Sequence, residues 1–121
     1  MNQLSILIPT YNKVCLELVK NLQAQASLLP YFEYEILVAD DGSTDKTTVE
    51  NNCNINKLPH CSYIEREKNV GRSAIRNFLA KEAKYEWLLY IDSNMNVINK
   101  QYLANYQYSQ ECDVIYGGYL V

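Results

Sequence analysis

The chain has 121 residues, long enough for one domain with a real core, because common domains hold about 100 to 150 residues. Its net charge of −3 and pI near 5.1 create no pull toward a phosphate backbone, and no lysine or arginine run marks a nucleic-acid face, so no nucleic-acid partner is expected. Cys15, Cys53, Cys61 and Cys112 form no CxxC pair, and the single histidine, His60, adjoins Cys61 without zinc spacing, which excludes a zinc motif and fits reduced thiols in a cytoplasmic protein.

The N-terminus enters a strand directly, with no charged leader and apolar region of a signal peptide. No segment nears the roughly 18 apolar residues of a membrane span. A soluble, cytoplasmic protein is expected, with peripheral membrane association left open. Leu4, Ser5, Ile6, Leu7 and Ile8 read as a buried strand halted by Pro9, followed by a loop of Pro9, Thr10, Tyr11 and Asn12. Val14, Leu18 and Leu22, widened by Cys15, Val19 and Ala26, set a helical stripe over residues 13–26. Residues 34–39 form the second strand, which a helical crossover makes parallel to the first and right-handed. It empties into Asp40, Asp41, Gly42, Ser43, Thr44 and Asp45, where Ser43, Thr44 and Asp45 offer helix N-caps. The two carboxylates stand where ligands collect in open parallel sheets; the alternative is one capping carboxylate and one solvated.

A weak helix follows to about residue 53, because Thr47, Thr48, Asn51 and Asn52 compete for backbone hydrogen bonds. Residues 54–59 read as loop, and residues 62–66 as a third, less buried strand near an edge. Asn69, Val70 and Gly71 lead into a helix over 72–84, with Ile75, Leu79 and Ala83 in one row and Ala74 with Phe78 in another. Ser73, Arg76 and Asn77 fall in its first turns, facing either a ligand or, for Arg76, a surface ion pair. Residues 86–91 are a second apolar strand running into Asp92, Ser93 and Asn94. A helix over 99–108, a segment from Asp113 to Tyr116, and Gly117 and Gly118 complete the chain. Strand and helix alternate, which predicts an α/β domain of three layers, α/β/α, on a mainly parallel sheet of Rossmann-like type.

Three strand ends thus deliver polar groups to one rim: Thr10, Tyr11 and Asn12; Asp40 and Asp41; Asp92 and Asn94. Neither a GxxxxGK[ST] loop nor a GxGxxG turn is present, so backbone cradling of phosphates by those two routes is absent. Carboxylates suit hydrogen-bond donors such as a pyrimidine N3–H or ribose hydroxyls, and an acid on a neighbouring strand can recruit a divalent cation to a pyrophosphate.

Four motifs taken together, residues 4–12, 38–45, 69–77 and 90–94, resemble in order the successive motifs of the family 2 glycosyltransferases of GT-A fold. The resemblance implies a GT-A nucleotide-sugar binding lobe, usually for a UDP-sugar, serving an inverting transfer to the hydroxyl of an acceptor glycan or lipid-linked sugar in polysaccharide synthesis. It places Thr10 and Tyr11 at the base pocket beside Asp40, gives Asp41 the uracil N3–H, and sets Gly71 and Arg76 beside the nucleotide. Asp92 and Asn94 fill the first and third positions of the family's DxD motif. Asn94 puts a neutral carbonyl where a carboxylate would bind the metal directly, so Mg²⁺ or Mn²⁺ is implied with weakened affinity.

Members of that family need roughly twice this length, with acceptor site and general base following residue 121. Residues 1–121 are therefore expected to be the N-terminal, donor-binding part of a GT-A domain, with no catalytic residue of their own and inactive alone. The apolar stretch from Tyr116 to Val121 reads as a strand edge that invites pairing with a second copy, so a homodimer or aggregation is expected, and a clean monomer on sedimentation counts against it. A non-catalytic nucleotide-binding or regulatory module with the same fold is the alternative. A phosphoacceptor receiver domain is a weaker third reading, opposed by the position of the acid pair after the second strand.

Overall fold

The structure, a computed structural model, describes residues 2–94 and 114–116. Along the chain run β1 (Gln3–Thr10), α1 (Leu16–Ser27), β2 (Glu33–Asp40), α2 (Lys46–Asn52) with a 3-10 turn (Cys53–Lys57), β3 (Cys61–Glu65), α3 (Arg72–Glu82), β4 (Leu88–Tyr90) and β5 (Val114–Tyr116). The expected helix at 99–108, Cys112, Gly117 and Gly118 lie outside the described residues. The strands make one five-stranded sheet in the order β3-β2-β1-β4-β5, parallel throughout.

Side chains alternate across a strand, and here both faces are covered. Leu4, Ile6 and Ile8 of β1 join Ile36 and Val38 of β2 beneath Leu18, Val19 and Leu22 of α1 and Ile55 of the 3-10 turn. On the other face Leu7, Leu37 and Ala39 meet Ile75 and Leu79 of α3. Three layers follow, and double-sided burial explains why the strands read as nearly unbroken apolar runs.

Several boundaries differ from the sequence reading, each for a local reason. Proline does not end β1: Pro9 pairs in register with Ala39, and Thr10 with Asp40. Ser5 donates its N–H to the Trp87 carbonyl and the Leu7 carbonyl accepts from Ile91, so the odd positions of β1 address β4. Pro9 is odd, and its missing N–H removes a bond on the β4 side only. The β1–β4 ladder therefore stops while β1–β2 continues, and the two strand ends part.

Helix α1 starts at Leu16, three residues later than expected, and Val14 lies out of the stripe at 44% exposure. Asn12 takes a left-handed φ of 49°, and the fully buried Asn52 side chain claims the backbone that would have begun the helix. Its Oδ1 accepts from Cys15 N–H at 2.9 Å and its Nδ2 donates to the Lys13 carbonyl at 2.9 Å. Helix α3 ends at Glu82, since Ala83 is already extended, and β4 pairs over three residues only. Residues 54–57, expected as loop, belong to the 3-10 turn (Cys53–Lys57) that carries Ile55 into the core.

The chain steps from β1 to β2 to β3 on one side, then crosses to β4 on the other. Between β1 and β4 lies the topological switch point, where open parallel sheets bind ligands.

Candidate functional site

A hollow of about 330 Å³ opens at that switch point. This is within the size range of small-molecule sites, roughly 300 to 1,000 Å³. The end of β1 supplies Pro9, Thr10 and Tyr11, and β2 supplies Asp41. The turn into α3 adds Asn69, Gly71, Arg72 and Ile75, and the end of β4 adds Asp92, Ser93 and Asn94.

Asp41 ties three of these segments together. Its N–H donates to the Thr10 carbonyl at 2.9 Å, while its carboxylate accepts from Val70 N–H at 2.8 Å and Gly71 N–H at 3.0 Å. Each carboxylate oxygen keeps a further lone pair, so this buried group can hold the turn and still accept from a ligand. Gly42 makes the approach possible. A Cβ there would lie 2.6 Å from Asn69 N and 2.7 Å from the Lys68 carbonyl carbon, and its φ of +74° already favours glycine.

The loops after β1 and β2 are clasped by Asn12. Its Oδ1 accepts from Thr44 N–H at 2.8 Å and Asp45 N–H at 3.0 Å, and its own N–H donates to Ser43 Oγ at 2.7 Å. Thr10 is buried, its hydroxyl donating to the Lys13 carbonyl at 3.2 Å, whereas Tyr11 stands 46% exposed at the mouth. Burial pushes the neighbouring Cys15 thiol up to about 12, so the group beside Thr10 is a neutral thiol rather than a thiolate nucleophile.

On the far wall Asp92 accepts the Asn94 N–H on Oδ1 at 2.8 Å, and Arg72 approaches its Oδ2 at 3.5 Å. Among the described residues, no three His, Cys, Asp or Glu side chains cluster to cage a metal ion.

The structure therefore brings Thr10, Tyr11, Asp41, Gly71, Asp92 and Asn94 round one hollow and leaves two of the expected residues outside its lining. Asp40 is wholly buried below the rim. Its carboxylate accepts the Tyr63 hydroxyl on one oxygen and the Ser43 N–H on the other at 2.7 Å, so it shapes the turn rather than facing a ligand. Burial first, then that carboxylate, holds the Tyr63 phenol well above its ordinary range. Arg76 lies one helical turn beyond Arg72, with its guanidinium 5.3 Å from the centre of the Tyr90 ring; Arg72 lines the hollow in its stead. Asn12 was read as one of the polar groups at the rim, whereas Asn52, Asn69 and Arg72 were given no place at the site by the sequence reading. Position was the available signal for two of them: Asn69 and Arg72 flank the one glycine preceding a strong helix.

An open parallel sheet with acids and small polar groups gathered at its switch point is the arrangement of the GT-A glycosyltransferases. The fold agrees with solved members: Staphylococcus aureus TarS 1–349 in complex with UDP-GlcNAc superposes with a TM-score of 0.68 at 35% identity, over 87% of this chain and 30% of that one. The chain belongs to glycosyl transferase family 2, whose profile matches residues 5–117. The poly(ribitol-phosphate) beta-glucosyltransferase of Bacillus spizizenii is 36% identical over 90% of this chain and 17% of that protein. TarS of S. aureus strain Mu50, a poly(ribitol-phosphate) beta-N-acetylglucosaminyltransferase, is 37% identical over 87% of this chain and 18% of its own length. A mannosyltransferase of Pyrobaculum calidifontis, solved with GDP-Man and Mn²⁺, shares the fold at 22% identity and a TM-score of 0.68, over 84% of this chain and 30% of that one. The chain spans less than a fifth of the length of those two curated relatives. Family membership sets the receiver-domain reading aside.

Proposed function

We propose that this domain holds the donor, a UDP-sugar, for an inverting glycosyltransferase that builds a polysaccharide on the hydroxyl of a glycan or lipid-linked sugar. The observation that carries the reading is the convergence of Thr10, Tyr11, Asp41 and Asp92 on one hollow at the switch point. The Tyr11 ring covers one face of the uracil, and Asp41, pinned by two backbone amides, accepts the N3–H in a fixed direction. Asp92 takes ribose hydroxyls or a cation-bound water.

The donor set fits a divalent cation only in part. Asp92 and the Asn94 carbonyl could hold Mg²⁺ or Mn²⁺ that keeps several waters and shares the ligand's diphosphate, but not one caged by protein alone. When bound, such a cation would neutralise charge on the leaving nucleotide. Deprotonating the acceptor is work for another part of the protein. Of the described residues, the acids lining the hollow are Asp41, committed to the Val70 and Gly71 amides, and Asp92, engaged by Asn94 and Arg72.

Titration calorimetry with UDP, GDP and CDP, with and without Mn²⁺, tests the reading. The expected result is selective UDP binding, mildly strengthened by metal and weakened about ten- to a hundredfold by Asp41→Ala, the loss of one charge-assisted hydrogen bond. Equal affinity for the three nucleotides, or none at millimolar concentration, refutes it. Asn94 also favours a non-catalytic nucleotide-binding module; UDP release from a UDP-sugar by the full chain, with an acceptor glycan present, separates the two.

A further inference from the structure

We infer that Arg72 is the residue that receives the diphosphate of the bound nucleotide, leaving Asp92 to do so and standing where a stronger metal site would otherwise act. The inference rests on the nucleotide reading above and adds to it the group that balances phosphate charge.

Charge comes first. Among the described residues lining the hollow, two are acids, Asp41 and Asp92, and one, Arg72, is a cation. A diphosphate entering that space meets a net negative wall unless a positive group turns to it. Asp41 is an acceptor held against two backbone N–H groups and brings no positive charge to the space. Asn94 offers no charge to fix a cation. Arg72 remains, and guanidinium is the side chain whose planar fork matches phosphate oxygens.

Geometry comes second. Arg72 is the first residue of α3, and its Nη2 lies 3.5 Å from Asp92 Oδ2 across the mouth. The Arg72 side chain is 74% exposed there. An ion pair this long, with its arginine this exposed, is weakly held, so a more highly charged anion displaces the carboxylate, and Asp92, 24% exposed, keeps the Asn94 N–H on its other oxygen. The helix start reinforces the preference. Gly71 at the N-cap contributes no side-chain cap, and the positive end of α3 borders the hollow that Gly71, Arg72 and Ile75 help to line. Asp92, once released, is placed for the ribose or a cation.

The test compares UDP with uridine on the full chain, in EDTA and at low ionic strength, for the wild type, Arg72→Gln and Arg72→Lys. Arg72→Gln is expected to lower UDP affinity about tenfold or more, with uridine affinity unchanged within about twofold, and Arg72→Lys to recover part of the loss. Rising salt should erode wild-type UDP binding more than that of Arg72→Gln. An unchanged UDP affinity in Arg72→Gln overturns the inference, as does an equal loss for UDP and uridine, which would make Arg72 a prop for α3. Those outcomes leave the nucleotide reading standing. A wild type that binds neither uridine nor UDP overturns both.

Discussion

Replacing Gly42 is the sharpest perturbation of the rim, because it separates backbone strain from steric contact. A Cβ at this position falls 2.6 Å from Asn69 N, about 0.8 Å inside the 3.4 Å at which contact becomes ordinary. The nearby atoms are backbone and cannot swing away. The φ of +74° adds a left-handed penalty of about 1–2 kcal/mol for alanine. Pushing the 68–69 backbone outward adds an overpacking cost of about 1–3 kcal/mol. Gly42→Ala should therefore lose about 2–5 kcal/mol, read as a lower urea midpoint at unchanged slope. The displaced turn also carries Val70 and Gly71, whose N–H groups bond Asp41 at 2.8 and 3.0 Å, so UDP affinity should fall with stability. Asparagine tolerates the left-handed region yet brings the same Cβ. Gly42→Asn should thus be nearly as damaging as Gly42→Ala. A Gly42→Asn protein with wild-type stability refutes the close-approach argument and leaves only a φ preference.

Asn52→Ala orphans the buried Cys15 N–H, while the Lys13 carbonyl keeps the Thr10 hydroxyl as donor, for an expected loss of about 1–3 kcal/mol by urea denaturation, the cost of one unsatisfied group. Tyr63→Phe strips the hydroxyl from the buried Asp40 carboxylate and should cost about 1.5–3 kcal/mol, a hydrogen bond to a charged group, while changing UDP affinity less than about twofold. A large loss of binding would return Asp40 to the hollow. Burial raises the Cys15 and Cys61 thiols from 9.0 to about 12, so above pH 9 the unfolded chain releases protons that the folded one retains. Stability contributed by keeping them neutral is complete below pH 9 and is lost as pH rises toward 12, by up to about 1.4 kcal/mol per pH unit for each thiol. A thermal-unfolding midpoint that stays level from pH 8 to 11 counts against this.

What was legible in the sequence is what depends on neighbours in the chain. Apolar runs and the four-residue stripe of Leu18 and Leu22 located strands and helices, because periodicity is local and both sheet faces are buried. The acids at the ends of β2 and β4 marked the rim for the same reason. Pro9 misled because its effect depends on which neighbouring strand its missing N–H would have faced, and that is fixed by pairing, not by composition.

The polar contacts that the sequence did not show share one property: their partners lie far away in sequence. Asn52 acts on Lys13 and Cys15, Asn12 on Thr44 and Asp45, Asp40 on Tyr63, and Asp41 on Val70 and Gly71. Each of these side chains closes a loop between segments some 20 to 40 residues apart. In isolation each looks like an ordinary turn or capping residue. The adjacent acids Asp40 and Asp41 show the consequence. Asp40, the last residue of β2, is buried between Tyr63 and the Ser43 amide, and Asp41, one residue past the strand, turns into the hollow. Side chains reverse with each step along an extended backbone, so of two neighbouring carboxylates at a strand end only one can face the ligand. The choice between them is set by the register of β2 against β1, through Thr10 with Asp40, and therefore by the same sheet pairing that opens the crevice.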